Sequence, residues 1–125
     1  MASQIDPQLP DAGILEAQQR RIQRAVALVA AKFVDRLSCE EMARAAGLSR
    51  FHFSRLFSRL MGFSPHEYLV RYRLEHAQKL LSSPEEELSL ADVAAACGFA
   101  DQAHLARRFR RAYGVSPSAF RREHR

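Results

Sequence analysis

Residues 89–120 read SLADVAAACGFADQAHLARRFRRAYGVSPSAF, and their reading decides the fold. Ser89 with Asp92 three residues on is an N-cap followed by an acid at N3, which opens a helix. Ala94, Ala95 and Ala96 give that helix a small-residue surface, so a second helix can approach closely. Gly98 stops it, because a left-handed residue just past a helix costs glycine little. The next helix carries Arg107, Arg108, Arg110 and Arg111, with no acid beyond its first residue. Leu105, Phe109 and Ala112 form its apolar stripe. Ala103, Ala106, Arg107 and Arg110 form the opposite stripe at helical spacing. Gly114 and Ser116-Pro117 end that helix and open another.

The same plan occurs earlier, in residues 38–68, SCEEMARAAGLSRFHFSRLFSRLMGFSPHEY. Ser38 and Glu41 form a capping box, and the short helix they open runs to Ala46. Gly47 turns the chain, Leu48 packs back and Ser49 caps a helix over about Arg50–Met61. At an offset of 51, Ser38, Ala43, Ala45 and Gly47 match Ser89, Ala94, Ala96 and Gly98. One residue is then inserted. At an offset of 52, His52, Arg55, Phe57, Arg59, Gly62, Ser64 and Pro65 match His104, Arg107, Phe109, Arg111, Gly114, Ser116 and Pro117. Two copies make a duplicated motif, not a solenoid. Phe53, Leu56, Phe57 and Leu60 form the first copy's core stripe, and Phe51, Ser54, Arg55 and Ser58 oppose it, flanked by Arg50 and Arg59. An exposed Phe among Arg and Ser asks for a partner. Arg108 stands where the first copy has Leu56: the repeat places it inward, its charge outward.

Outside the copies, Ser64-Pro65-His66-Glu67 opens a helix of about 18 residues to Ser82, roughly 27 Å long. Residues 83–87 (SPEEE) form a polar turn. Asp11 is the expected cap of an N-terminal helix reaching about Arg36. Ile22, Val26, Val29 and Phe33 lie on its packing stripe, and Arg20, Arg21 and Arg24 on a solvated basic face. The expected architecture is all-α: two helix–turn–helix subdomains, duplicated and homeodomain-like, joined by a long linker helix. The expected divisions are a flexible tail over 1–13, a first subdomain over 14–64, the linker over 65–82 and a second subdomain over 83–125.

The 125 residues are 47% hydrophobic and carry a net charge of +5, which suits a polyanion partner. The charge is uneven. Residues 89–125 hold 7 basic and 3 acidic side chains, whereas 70–88 hold 3 and 4. Cys39 and Cys97 are far apart in sequence and form no CxxC pair, which suits a reduced cytosol. No apolar run reaches about 18 residues, and the N-terminus has no signal-peptide core, so no membrane association and a cytoplasmic location are expected. His52, His66, His76, His104 and His124 show no ligand spacing. With no phosphate loop or nucleophile elbow, no metal, cofactor or catalytic residue is expected.

In a helix–turn–helix, the first helix braces the second, which lies in the major groove of DNA with its N-terminal part against base edges. Arg55 and Arg107 occupy equivalent outward places, where a guanidinium reaches guanine or a nearby phosphate. Phe51 and Ala103 suit a thymine methyl, and Gln102 suits adenine. His104 and Ser54 suit a base or a phosphate. Arg50, Arg59, Arg110 and Arg111 suit phosphates. The helix starts at Ser38 and Ser89 offer backbone N–H groups to a phosphate.

These motifs resemble the DNA-binding domain of the AraC/XylS family of bacterial transcription regulators. The most specific part is Ala94–Phe120, with its GF turn, paired-basic helix with Phe, and G-x-S-P segment before an aromatic. The first copy resembles it through MARAAGLSRFHFSRLFSRLMGFSPHEYL, and the likeness covers about residues 14–123. It implies two recognition helices in successive major-groove segments of double-stranded DNA. The implied base-facing positions are Phe51, Ser54 and Arg55, then Gln102, Ala103, His104 and Arg107. It also implies a transcription activator that touches RNA polymerase and sits on DNA as a monomer. About 37 residues precede the first copy, too few for an effector domain, so the chain is expected to be a stand-alone member or a piece of a larger regulator. The competing expectation is a helical protein-interaction module that binds another regulator or polymerase through the Phe51 face.

Overall fold

The structure is a computed structural model that describes residues 12–85 and 87–124. Among these it holds seven helices and no strand: α1 (Ala12–Lys32), α2 (Cys39–Ala46), α3 (Arg50–Met61), α4 (Pro65–Ser82), α5 (Leu90–Ala96), α6 (Gln102–Tyr113) and α7 (Pro117–His124). The all-α, duplicated helix–turn–helix architecture read from the sequence is the one observed. Local chemistry sets most boundaries. Ser38 Oγ accepts from the Glu41 N–H at 3.1 Å, and the Glu41 carboxylate accepts from the Ser38 N–H, a complete capping box. Ser64 and Ser89 cap α4 and α5 by accepting from Glu67 and Asp92 N–H groups.

Two cores form, and α4 feeds both. Ile22, Ala25, Val29, Met42, Ala46, Phe53, Phe57 and Leu69 are buried in the first. Val70, Leu74, Ala77, Leu81, Val93, Leu105 and Phe109 are buried in the second. The seam falls between Leu69 and Val70, so one turn of α4 passes from the first core to the second. The repeat therefore reaches further than the helix–turn–helix. Ile22, Ala25 and Val29 of α1 match Leu74, Ala77 and Leu81 of α4 at the same offset of 52, and all six are buried. Each copy is a three-helix unit, α1–α2–α3 and α4–α5–α6, closed by a fourth segment. The start of α4 closes the first unit, with Tyr68 edge-on to Phe57 at 5.5 Å. Helix α7 closes the second, with Phe120 edge-on to Phe109 at 5.3 Å.

The turns show where the extra residue lies. Leu48 N–H donates to Ala43 O and Phe99 N–H to Ala94 O, the six-to-one bond of a Schellman turn around Gly47 and Gly98. Ser49 and Asp101 then cap α3 and α6 at matching places, so Ala100 is the insertion.

Three expectations need correction. Helix α1 ends at Lys32, not near Arg36. Just past its end, Phe33 O and Asp35 O accept from the Arg73 guanidinium at 2.7 and 2.8 Å. The turn that follows α1 thus has two of its carbonyls satisfied by a tertiary donor. Ala112 is exposed, and Tyr113 packs on Phe109 at 4.7 Å instead. Arg21 is not part of a solvated face: it is half-buried, and its Nη1 donates to Ala46 O and Gly47 O at 3.0 and 3.1 Å. A cation there stabilises the C-terminus of α2. The expected Asp11 cap lies outside the described residues.

Candidate nucleic-acid interface

Helix α3 presents its outward face as the sequence pattern requires. Ser49 Oγ accepts from the His52 N–H at 3.2 Å and fixes the helix start. One turn of helix then carries Phe51, which is 73% exposed. The Arg55 guanidinium lies over its ring, 5.4 Å from the centroid. That cation–π contact narrows the arc the arginine sweeps. Ser54, Arg55, Ser58 and Arg59 share one shallow groove, so the face is continuous along the helix. Arg50 sits beside it and pairs with Glu40 at 3.6 Å. Both partners are exposed, so the pair is easily exchanged for another anion.

Helix α6 divides its polar residues between two directions. Asp101 Oδ1 accepts from the His104 N–H at 2.7 Å and sets the helix start. Gln102, Ala103, Arg107 and Arg110 are exposed. Arg111 is exposed too, whereas His104 and Arg108 are half-buried. The His104 ring is half-buried and edge-on to Phe99, with centroids 5.4 Å apart. Its pKa lies below the usual value, first because burial disfavours the charged ring, then because Arg107 and Arg108 repel it. Asp101 works in the opposite direction. Arg108 is half-buried, and its Nη2 lies 3.4 Å from His66 Nε2 in the first turn of α4. It therefore follows neither side of the sequence argument: it neither enters the core nor points to solvent, but bridges to the linker. Arg111 lines a groove of about 550 Å³ between α4 and α6, together with Glu67 and Glu75.

The starts of α2 and α5 also lie as expected, at Ser38 and Ser89. Their first turns carry Glu40, Glu41 and Asp92. These carboxylates already complement the positive end of each helix, which weakens its pull on a phosphate.

Sequence reading missed Arg73 entirely. It is the one charged side chain buried among the described residues. Burial lowers its pKa from the usual arginine value. Its sequence signal was available, since it stands 52 residues after Arg21. Gly98 adjoins it. A Cβ there would sit 2.5 Å from Phe33 O and 2.8 Å from Arg73 Nε. Cys97 is not poised for chemistry, since it is buried with its thiol pushed up to about 11, and Cys39 is half-buried.

Residues 42–123 match the helix-turn-helix domain family. Over 85 residues the chain is 38% identical to the probable transcriptional regulator LumQ of Photobacterium leiognathi, covering 68% of this chain and 34% of LumQ. The chain spans about a third of the length of the curated relatives it matches. A Chromobacterium violaceum transcriptional regulator of the AraC-type DNA-binding class superposes with a TM-score of 0.78 at 29% identity, covering 91% of this chain and 96% of that one. The DNA-binding domain of the global transcriptional factor AdpA, solved with a target DNA, superposes with a TM-score of 0.76 at 33% identity, covering 82% and 91%. No described helix is long and apolar enough to cross a membrane.

Proposed function

The chain belongs to the AraC/XylS-type family of helix–turn–helix regulators, and from that premise we propose that it is a sequence-specific reader of double-stranded DNA. The observation that carries this reading is the pair of equivalent outward faces: Phe51, Ser54 and Arg55 on α3, and Ala103, Arg107 and Arg110 on α6. Each sits on the second helix of a helix–turn–helix unit, the position that enters a major groove. The two units are joined by α4, whose 18 residues span about 27 Å. That length suits successive major-groove segments on one side of a duplex, about 34 Å apart. The likeness to a domain solved on its target DNA supports the same mode.

In this reading Arg55 and Arg107 contact guanine edges. Phe51 and Ala103 take thymine methyls, and Gln102 and Ser54 add polar base contacts. Arg50, Arg59, Arg110 and Arg111 meet phosphates, with the helix starts at Ser38 and Ser89. His104 packs against Phe99, so it reaches the duplex from the flank of α6. The protein acts as a monomer in the bacterial cytoplasm, activates transcription in contact with RNA polymerase, and performs no catalysis.

The test is fluorescence polarisation on a duplex selected from a random pool and on an unselected duplex, at low and moderate salt. Binding should weaken steeply with salt and favour the selected duplex. Footprinting should protect two major-groove segments one turn apart. If binding is absent at both salts, the reading is wrong, and a module docking a protein through the Phe51 face replaces it.

A further inference from the structure

We infer that Arg73 is a positioning residue that fixes the phase between the two recognition helices by clamping the second unit onto the end of α1. This inference rests on the duplex-reading function proposed above. Apart from the shared α4, the helices of the two units make little direct contact. Their relative rotation is therefore set through α4 and by what pins α4 and the turn after α5 to the first unit. Arg73, on α4, makes two such contacts. Its Nε donates to Phe33 O at 2.7 Å and its Nη2 to Asp35 O at 2.8 Å, across 40 and 38 residues of sequence. A guanidinium is expensive to bury, and its cost here is offset by two backbone carbonyls of the turn that follows α1. The planar fork matters, because two donors at fixed separation hold an angle as well as a distance.

Gly98 closes the clamp from the other side. The turn between α5 and α6 lies so close to Phe33 that a Cβ on Gly98 would come within 2.5 Å of its carbonyl oxygen and 3.0 Å of Val34 Cα. The linker helix, the second turn and the end of α1 thus converge on one carbonyl. The repeat shows that this is a departure. Arg21, at the same repeat position, donates to Ala46 O and Gly47 O within its own unit. In the second unit the equivalent arginine reaches out to the first. Its effect on DNA follows from geometry. One base pair inserted between the two recognition segments rotates one of them by about a tenth of a turn. A clamped reader cannot follow that rotation, whereas a loosened one can.

Two measurements on the full chain test this. In the first, spin labels are placed on exposed positions of α3 and α6 through Ser58→Cys and Ala103→Cys, with Cys39→Ser removing the half-buried thiol. The distance distribution is recorded without DNA, with Arg73 intact and with Arg73→Ala. A narrow distribution that broadens at least about twofold on removal of the two-pronged contact supports the clamp. An unchanged distribution overturns it, whether or not the protein binds DNA. In the second, affinity is measured on the selected duplex and on one with a single inserted base pair. The protein with Arg73 should lose about tenfold or more on insertion, and Arg73→Ala less than about threefold. Equal discrimination by both overturns the inference. Should Arg73→Ala fail to fold by circular dichroism, Arg73→Lys keeps the charge without the fork and takes its place. Failure of the function alone is distinct: the distance distribution still broadens, but the protein with Arg73 binds no duplex.

Discussion

The two units share an interior and differ at their edges. Ile22, Ala25, Val29, Phe53 and Phe57 of the first are matched by Leu74, Ala77, Leu81, Leu105 and Phe109 of the second, and all ten are buried. The arginines follow no such rule. Arg21 serves its own turn, and Arg73 serves the other unit. Arg55 lies over an exposed Phe51, whereas Arg107 stands beside the small Ala103. Leu56 is buried, whereas Arg108 reaches His66 of the linker. The lesson is physical. Close packing tolerates few changes in the volume of a buried side chain, but a long basic side chain at a margin can be redirected by whichever carbonyl or ring lies in reach. Duplicated units therefore keep their cores and diverge in their contacts.

The largest expected effects are symmetric and test the shared interior. Phe57→Ala and Phe109→Ala, each at a site with 0% exposure, should each cost about 3–5 kcal/mol in urea unfolding. A cost well below this in one unit alone would mean that its core relaxes where the other does not. The turns should separate the units. Gly98→Ala forces a left-handed backbone, at about 1–2 kcal/mol, and meets the Phe33 carbonyl. Overpacking of that kind adds about 1–3 kcal/mol. Gly47→Ala carries the same backbone cost, but its Cβ meets only the tip of Arg21, which can swing away. Equal costs would show that the tight junction at Gly98 does not exist in solution.

On DNA, Arg107→Ala should cost about 1–3 kcal/mol on the selected duplex and relax specificity at one position. Arg110→Ala should weaken selected and random duplexes alike and reduce the salt slope by about one. Equal losses for Arg107→Ala on both duplexes would assign it to phosphate instead. The smallest effect concerns His104. Its folded pKa lies below the ordinary 6.5, so the fold favours the neutral ring. Its contribution is full above 6.5 and is lost as pH falls through the lowered folded value. His104→Gln should lose less stability than the parent when urea midpoints are compared above and below pH 6.5. An identical decline in both proteins would place the titration elsewhere.

Much of this was legible in advance for a simple reason. Capping boxes, glycine turns and apolar stripes act within one or two turns of chain, so Ser38, Ser64 and Ser89 mark helix starts without tertiary information. The outward faces were readable because a helix that buries one stripe must present the other. The surroundings of the end of α1 were not, since the carbonyl just past it is held by a donor 40 residues away. The roles of Arg21 and Arg108 were hidden for the same reason, because a periodicity assigns a side chain to a face but not to a partner.

By itself, the sequence determined the all-helical duplicated architecture, the helix starts of both units and the two arginine-bearing outward faces of α3 and α6, because each follows from local propensity and period. Only the tertiary structure decided how far the repeat extends, which arginines leave the outward face, and how one unit is held against the other. Those features rest on single hydrogen bonds and close approaches between segments distant in sequence, and at Arg73 and Gly98 the deciding partner is the backbone oxygen of Phe33, an atom that every residue carries and no pattern singles out.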